Sequence, residues 1–448
     1  MDHNPRSDIK GLLRTGLSKS LASLFIKVAT AGLTYLMYVM LSRVMGVTEY
    51  GYFAFGLSLA TILAIGANYG QQTAILRYWP EAMVAGKPEV ALNALRSGGA
   101  ITIVAGLVIT ALLLIVSFGT SLFDTGPIAY LYASAALILP LALAEYWSSA
   151  LRAQGSVWTG LAPRDLIWRT TLPLAVAALW YSQVSLSGWG ALLLTAAILA
   201  LSLALQYVLA RARRYEIAAG ATGLRAYWQQ HGRASRSFFL GTVLDSAALN
   251  IDIIFVGLLV APAAAGIYFN AFRTAGLLTL FMFAITLVVA PMVAQHYHAG
   301  EMRRAQAITA LCAWAGFLFS LVVFIGFIFF GEQVMSLFGG GHEQGALLLI
   351  ILSIGLLFDA ATGPSRIVMM MTGHEREYVR IFGAVIVLGM IVQIPVIMAY
   401  GAIGAAIVNT IARIAAQLAI AVYSRRRIGL DTTLLGAFLV NRLPDRAA

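Results

Sequence analysis

Asp245 and Asp252 stand seven residues apart in "LDSAALNIDIIFVGLLV", an otherwise mostly apolar run ending at Val260. At 3.6 residues per turn that spacing puts both carboxylates on one face of a helix. Inside a membrane, acids so placed face a partner or a water-filled path, and many relay protons. Asp252 lies about 12 Å from the end at Val260, and Arg273 lies about 14 Å past Ala264 in the next apolar run, at 1.5 Å per residue. The turn between them is tight, so the two helices are antiparallel neighbours and the two side chains reach similar depth. Asp252 and Arg273 are therefore expected to pair or to face one polar cavity. Such a pair either fixes packing or couples an ion.

A second constellation repeats. "EYWSSALR" carries Glu145 and Arg152, and "DAATGPSR" carries Asp359 and Arg366, each an acid and an arginine seven apart. Gly363 and Pro364 fall between the latter pair, where a proline removes a helix hydrogen bond and kinks the chain. Arg164, Asp165 and Arg169 follow the first octet, while Lys27 and Arg413 interrupt two more apolar stretches. Each charge near a bilayer centre costs about 2.5–3.5 kcal/mol on insertion scales, so these residues need partners or a cavity. Lys27 stands as a cavity residue that attracts anions, or as a chain reaching for the headgroups.

Other chemistry is absent. His296 and His298 have no acid or cysteine at ligand spacing, so no metal site is expected. "GGGHEQG" lacks the lysine of a phosphate-binding loop, and no nucleotide, nucleophile-elbow or metalloprotease pattern occurs. The one cysteine, Cys312, sits in an apolar run and reads as a packing residue. The sequence thus points to no enzyme, no cofactor and no nucleic-acid partner.

The elements that carry these charges must be membrane helices. Of 448 residues, 60% are hydrophobic and only 11% are charged, against about 25% charged in a soluble domain. Runs of about 20 apolar residues occur near 17–43, 50–76, 95–118, 127–151, 157–181, 187–210, 237–260, 264–293, 306–330, 345–371, 379–399 and 402–424. The fold class is all-α, a polytopic membrane protein of about twelve transmembrane helices. Lys27 interrupts the first run, which reads as a retained helix rather than a cleaved signal. With the N-terminus in the cytoplasm, most Lys and Arg collect on that side, including the triplet Arg425, Arg426 and Arg427. Much of the net charge of +11 is then topology signal, and both termini are expected in the cytoplasm.

The organisation follows: a short segment 1–16, a six-helix lobe 17–210, a basic linker 211–236, a six-helix lobe 237–424 and a tail 425–448. The lobes are related. "VMGVTEYGYFAFGLSLA" aligns with "LVAPAAAGIYFNAFRTA", placing Gly51 on Gly266, and the two acid–arginine octets match at nearly the same offset. Six helices per copy makes the repeats parallel, an arrangement that transporters use with a site between the halves.

Several stretches resemble the polysaccharide transporter family, the oligosaccharide flippases of the Wzx type. "LSRVMGVTEYGYFAFGLSLATILAIGANYGQQTAILRY" is similar to its opening signature through Arg43, Gly46, Glu49, Tyr50, Gly51 and Arg77. "LNIDIIFVGLLVAPAAAGIYFNAFRTAG" resembles its seventh and eighth helices through Asp252, Gly257, Gly266 and Tyr268, and "ALRAQGSVWTGLAPRDLIWR" its fourth-to-fifth helix junction. The resemblance implies two pseudo-symmetric six-helix lobes around a central cavity and alternating access. It implies a polyprenyl-diphosphate-linked glycan as cargo, carried across a bacterial inner membrane in surface-polysaccharide, O-antigen or exopolysaccharide synthesis. A polymerase and glycosyltransferases of the same pathway are the implied partners. Lys27, Arg164, Arg169, Arg273 and Arg366 would then suit the diphosphate. Asp252, Asp245, Glu145 and Asp359 are the candidates for ion coupling or gating. Trp147, Trp168, Tyr268 and Phe269 could stack sugars. The related drug extruders of the superfamily often carry an acid in the first helix, where this chain has Lys27, which favours an anionic cargo. A cation-coupled small-molecule antiporter of the same fold is the alternative. A membrane glycosyltransferase fits less well, because the short loops leave no room for a catalytic domain.

Overall fold

A computed structural model describes residues 29–121, 129–220 and 223–442. Among them there is no strand. Lys27 lies outside the described residues. Among the described residues nine helical stretches are long and apolar enough to cross a membrane, and the described part of each expected span is mainly helical.

In chain order the first helices are α1 (29–45), α2 (Val47–Asn68), α3 (Gln71–Val84), α4 (Pro88–Ser121) and α5 (Ala129–Ala153). The expected second span is α2 and α3 together, joined at Tyr69 and Gly70, both with positive φ. Gly70 is required there: a side chain would meet the Ser235 carbonyl and the Phe239 amide within 3 Å. The fifth span is α6 (Val157–Leu161) and α7 (Trp168–Tyr181), separated by a π-helical turn over Ala162–Ile167 that contains Pro163. Next come α8 (Gly188–Ala212) and α9 (Leu224–Leu259). The segment expected as a linker is therefore helical from Leu224 onward. Its non-helical part is tied to the helix ends: Gln154 exchanges two hydrogen bonds of 2.8 Å with the Glu216 backbone, and Gly220 donates to the Arg96 carbonyl.

The second half comprises α10 (Pro262–Ala275), α11 (Leu280–His298), α12 (Met302–Ser336), α13 (Ala346–Ala361), α14 (Ser365–Met371) and α15 (Glu375–Tyr423). The expected kink at Pro364 is a full break, with Gly363 at φ +65° between α13 and α14. The last two expected spans form the two arms of α15, which bends at Gly401, φ 61°.

The chain divides into two compact units, one of Met1–Met45 with Tyr52–Asn250, the other of Gly46–Gly51 with Ile251–Ala448. The division falls inside α9 rather than within 211–236. In the first unit α5 packs against α3, α4 and α8; in the second α13 packs against α10, α12 and α15. These two central helices carry Glu145 and Asp359, the acids matched by the sequence repeat. The matched glycines meet as well. A Cβ on Gly266 would lie 3.0 Å from the Gly51 Cα, and one on Gly51 would strike the Pro262 carbonyl. Small residues let membrane helices approach this closely. Beside that contact the buried Tyr50 hydroxyl donates to Asn270 Oδ1 at 2.6 Å.

Apolar side chains lie exposed along the helices. Val104, Leu107, Leu112 and Ile115 of α4 are all more than half exposed. No aqueous surface would tolerate such a stripe, and a lipid environment accounts for it.

Candidate functional site

Each unit holds one cluster of buried charges. In the first, Glu145 of α5 forms an ion pair with Arg164 of the π turn. Arg164 Nε and Arg169 Nη1 each lie 3.6 Å from Asp165 Oδ1, whose side chain is only 2% exposed. Arg169 also donates to the carbonyls of Arg164 and Asp165 and lies 4.5 Å from the Trp168 ring centre. The Trp168 indole in turn donates to the Arg164 carbonyl. The wider turn brings three charged residues of one short stretch to a common point. Such π turns occur often at functional sites.

The expected partner of Glu145 on its own helix, Arg152, is engaged elsewhere, donating to the Ser148 carbonyl and the Ser149 hydroxyl. It remains within electrostatic reach of Arg164, Glu145 and Asp165. The group thus holds three guanidinium ions and two carboxylates.

In the second unit Asp252 is 6% exposed. Its Oδ2 accepts from the Tyr268 hydroxyl at 2.8 Å and from Asn409 Nδ2 at 2.5 Å. The expected ion pair with Arg273 does not form, and helix register explains it. With α9 ending at Leu259 and α10 beginning at Pro262, Asp252 sits about 10 Å from its helix end and Arg273 about 16 Å into the next. Tyr268, about 9 Å in, is the residue at matching depth. Arg273 lies against the Phe269 ring, 4.8 Å from its centre.

Asp359 likewise forms no direct ion pair with Arg366, which stays within its electrostatic reach. It receives a hydrogen bond from Gln417 and lies 3.7 Å from Arg413. The break at Gly363 explains this, because it removes the continuous helix that would have stacked the two residues. Arg366 is exposed over the Tyr378 ring. Asn409, Arg413 and Gln417 recur every four residues on the outer arm of α15 and so share a face. Arg413, bound to Asp359, is also within electrostatic reach of Asp252. The sequence singled out Arg413 without assigning it a partner. Asn409 and Gln417 went unnoticed, although three polar residues at fourfold spacing in an apolar helix were a usable signal.

Asp245 is half-buried and belongs to the first unit, while Asp252 belongs to the second. Tyr268, Phe269 and Trp168 are buried, which leaves no ring face for a sugar in this state. His296 contacts Glu301 at 2.5 Å, and Arg304 contacts the same carboxylate at 3.0 Å. The hydrogen bond from His296, then that from Arg304, holds the Glu301 carboxyl below its ordinary range. Among the described residues no group of three potential metal ligands comes together.

Residues 17–297 match the family model described as polysaccharide biosynthesis protein. The chain belongs to that family. Residues 238–396 also match the MatE model. Comparison with curated proteins gives no significant match. The chain shares its fold with solved membrane transporters. An inward-facing multidrug resistance MATE transporter of the MOP superfamily matches at 14% identity and TM-score 0.70, over 89% of this chain and 94% of that one. The lipid II flippase MurJ, in an inward closed conformation, matches at 15% identity and TM-score 0.69, over 94% and 92%. A MOP superfamily transporter from Pyrococcus furiosus matches at 16% and 0.63, over 92% and 95%. The chain is therefore a multi-pass membrane protein with the fold of transporters and flippases, and the two-lobed helical class expected from its sequence holds.

Proposed function

We propose that this protein moves a polyprenyl-diphosphate-linked oligosaccharide across the bacterial inner membrane by alternating access, for surface-polysaccharide synthesis. The observation that carries this reading is the excess of guanidinium groups among the described residues of the first cluster, where Arg152, Arg164 and Arg169 stand with the carboxylates Glu145 and Asp165. An anionic diphosphate is the natural ligand of such an excess, since charge-assisted bonds to phosphate are short and strong. Lys27, Arg273 and Arg366 are assigned to the same cargo, at its headgroup or along its route. Asp252, Asp359, Glu145 and Asp245 serve as gating or ion-coupling groups. Membership of the polysaccharide biosynthesis family supports a glycan cargo, and the flippase fold supports a lipid-linked one.

The test is deletion of the gene in a strain without a paralogue. Lipid-linked repeat units should accumulate on the inner leaflet, and the intact gene should relieve the block. Lys27→Ala, Arg273→Ala and Asp252→Asn should each impair export while the protein still reaches the membrane. Unchanged glycan export in the deletion strain overturns the reading.

One other reading has a specific observation behind it. Both carboxylates of the second cluster, Asp252 and Asp359, accept hydrogen bonds from neutral donors, and both fall within the MatE match. A cation-coupled small-molecule antiporter would use such an arrangement. Loss of drug tolerance in the deletion strain, with glycan export intact, selects that alternative.

A further inference from the structure

The segment after the last long helix does not hang free. Past α15 the chain makes a π-helical turn over Ser424–Ile428, then a left-handed glycine, Gly429. It next runs back along α12 and ends in a 3₁₀ helix, Leu434–Arg442, packed on α12. Gln306 of α12 fastens it. The fully buried side-chain amide donates to the carbonyls of Asp431 and Gly436, and its oxygen accepts from the Asp431 amide at 2.8 Å. Further along, the Trp314 indole donates to the Leu434 carbonyl at 3.1 Å. Leu430, Asp431 and Thr432 are buried at the root.

These anchor points fix a depth. Gln306 is about 6 Å and Trp314 about 18 Å from the start of α12 at Met302. The 3₁₀ helix therefore lies along the stretch where α12 becomes apolar. Neighbouring positions of α12, Leu311 and Leu318, are 71% and 52% exposed. Leu435 and Phe438 of the 3₁₀ helix are 63% and 73% exposed. At three residues per turn these two side chains eclipse on one face, continuing the apolar surface that α12 gives to lipid. At the other end of the segment Arg425, Arg426 and Arg427 are all exposed. Among the described residues the acid paired with them is Asp431, 3.6 Å from Arg425 and itself buried.

We propose that residues 424–442 form a docking element for the surface of an anionic phospholipid bilayer. Leu435 and Phe438 seat in the boundary between headgroups and acyl chains, and the arginine triplet binds the headgroup phosphates. Apolar burial at the interface and arginine attraction to anionic lipid act together in such elements, each arginine contributing about fivefold in affinity. A purely aqueous tail would have no reason to expose a leucine and a phenylalanine one turn apart beside a tryptophan. The element also touches the break in the tenth span: a side chain on Gly363 would collide with the Thr432 carbonyl. Lipid held here therefore bears on the most sharply broken helix of the second unit. The argument is independent of the cargo.

The test uses the full chain with Cys312→Ala and Phe438→Cys, labelled with bimane, in vesicles of phosphatidylcholine and phosphatidylglycerol. A trace of either lipid carries a spin label high on its acyl chain. Labelled phosphatidylglycerol should quench the fluorophore several-fold more than labelled phosphatidylcholine, and iodide in the water should quench little. Replacing Arg425, Arg426 and Arg427 by Gln should equalise the two lipids, while replacing them by Lys should keep the preference. Equal quenching by the two lipids in the parent protein overturns the anionic preference. Quenching by iodide but by neither lipid overturns the docking altogether, and so does protection from all three, the result expected if a second copy of the chain covers this face.

Discussion

Glu145 and Asp359 occupy matched positions on the central helices of the two units, yet their surroundings differ in charge. Around Glu145 stand Arg152, Arg164 and Arg169 with Asp165, so positive groups outnumber negative ones. Around Asp359 stand Arg413 and, within electrostatic reach, Arg366, with Asp252 in the field of Arg413, so the charges balance. The neutral residues differ too. In the second cluster Tyr268, Asn409 and Gln417 all donate to carboxylates. In the first, backbone carbonyls accept from Arg169 and Trp168. A duplicated scaffold has thus kept one acid per copy and specialised what surrounds it. Under the proposed function the first of these surroundings would receive the anionic cargo.

The largest effect that could break this comparison is on stability. Asp165→Asn removes the carboxylate shared by Arg164 and Arg169 and leaves buried guanidinium groups short of a partner. Stripping one member from a buried ion network costs roughly 3–5 kcal/mol. Asp359→Asn removes an acid from a cluster in which Arg413 retains the field of Asp252 and Arg366 is exposed, so its cost should be smaller, on the order of 1 kcal/mol for the lost bonds. Thermal unfolding of both variants in detergent decides the matter. Equal losses would mean that the charge difference between the clusters has no energetic weight.

Transport should separate them next. If the first cluster holds the diphosphate, Arg169→Gln should raise the lipid-linked substrate needed for half-maximal flipping in proteoliposomes, on the order of tenfold for one lost charge-assisted bond. Asp252→Asn should leave that concentration nearly unchanged and abolish the response to an imposed proton or sodium gradient. The reverse assignment of effects would exchange the roles of the two units. A smaller test concerns the neutral donors: Asn409→Ala deletes one hydrogen bond to the Asp252 carboxylate and should cost about 1.5–3 kcal/mol, measured by the same unfolding assay. No loss would show that Tyr268 and Gln393 satisfy the acid without it.

Much of the fold was legible in the sequence, because apolar length is a strong signal in lipid. The spans and the repeat-matched glycines at 51 and 266 were both visible, and the structure explains the latter as a close helix crossing. The partners of the charges were not legible. Asp252 pairs with Tyr268 rather than Arg273 because α9 and α10 are joined by only two non-helical residues, Val260 and Ala261. Boundaries wrong by two residues move an expected partner by about 3 Å per helix, at 1.5 Å per residue. Glu145 and Asp359 make their direct ion pairs with other arginines than those seven residues on. In the first case a π turn in the next span presents Arg164, and in the second a break at Gly363 ends the helix. Irregular backbone of this kind leaves only a proline as its trace, and proline does not say which irregularity will form.

The smallest expected effect guards the comparison against a false assignment. Any pH sensitivity credited to Asp252 has a rival in His342, which lies between α12 and α13 outside the spans and is 1% exposed. Tyr50 packs edge-on to its ring at 5.9 Å and Phe338 lies at 6.2 Å. Burial pushes the imidazole below its ordinary value, with the Gly339 backbone and the neighbouring Glu343 opposing. The folded state then resists protonation that the unfolded state accepts near pH 6.5. Unfolded chains bind more protons in that window, so stability is full above it and falls as the pH drops below about 6.5. His342→Phe keeps a ring in the pocket and removes the titration. Unfolding temperatures measured from mildly acidic to neutral pH should decline for the parent protein and flatten for the variant. A parallel decline in both would return the whole pH response to the carboxylates, and with it the case for a proton-linked second unit.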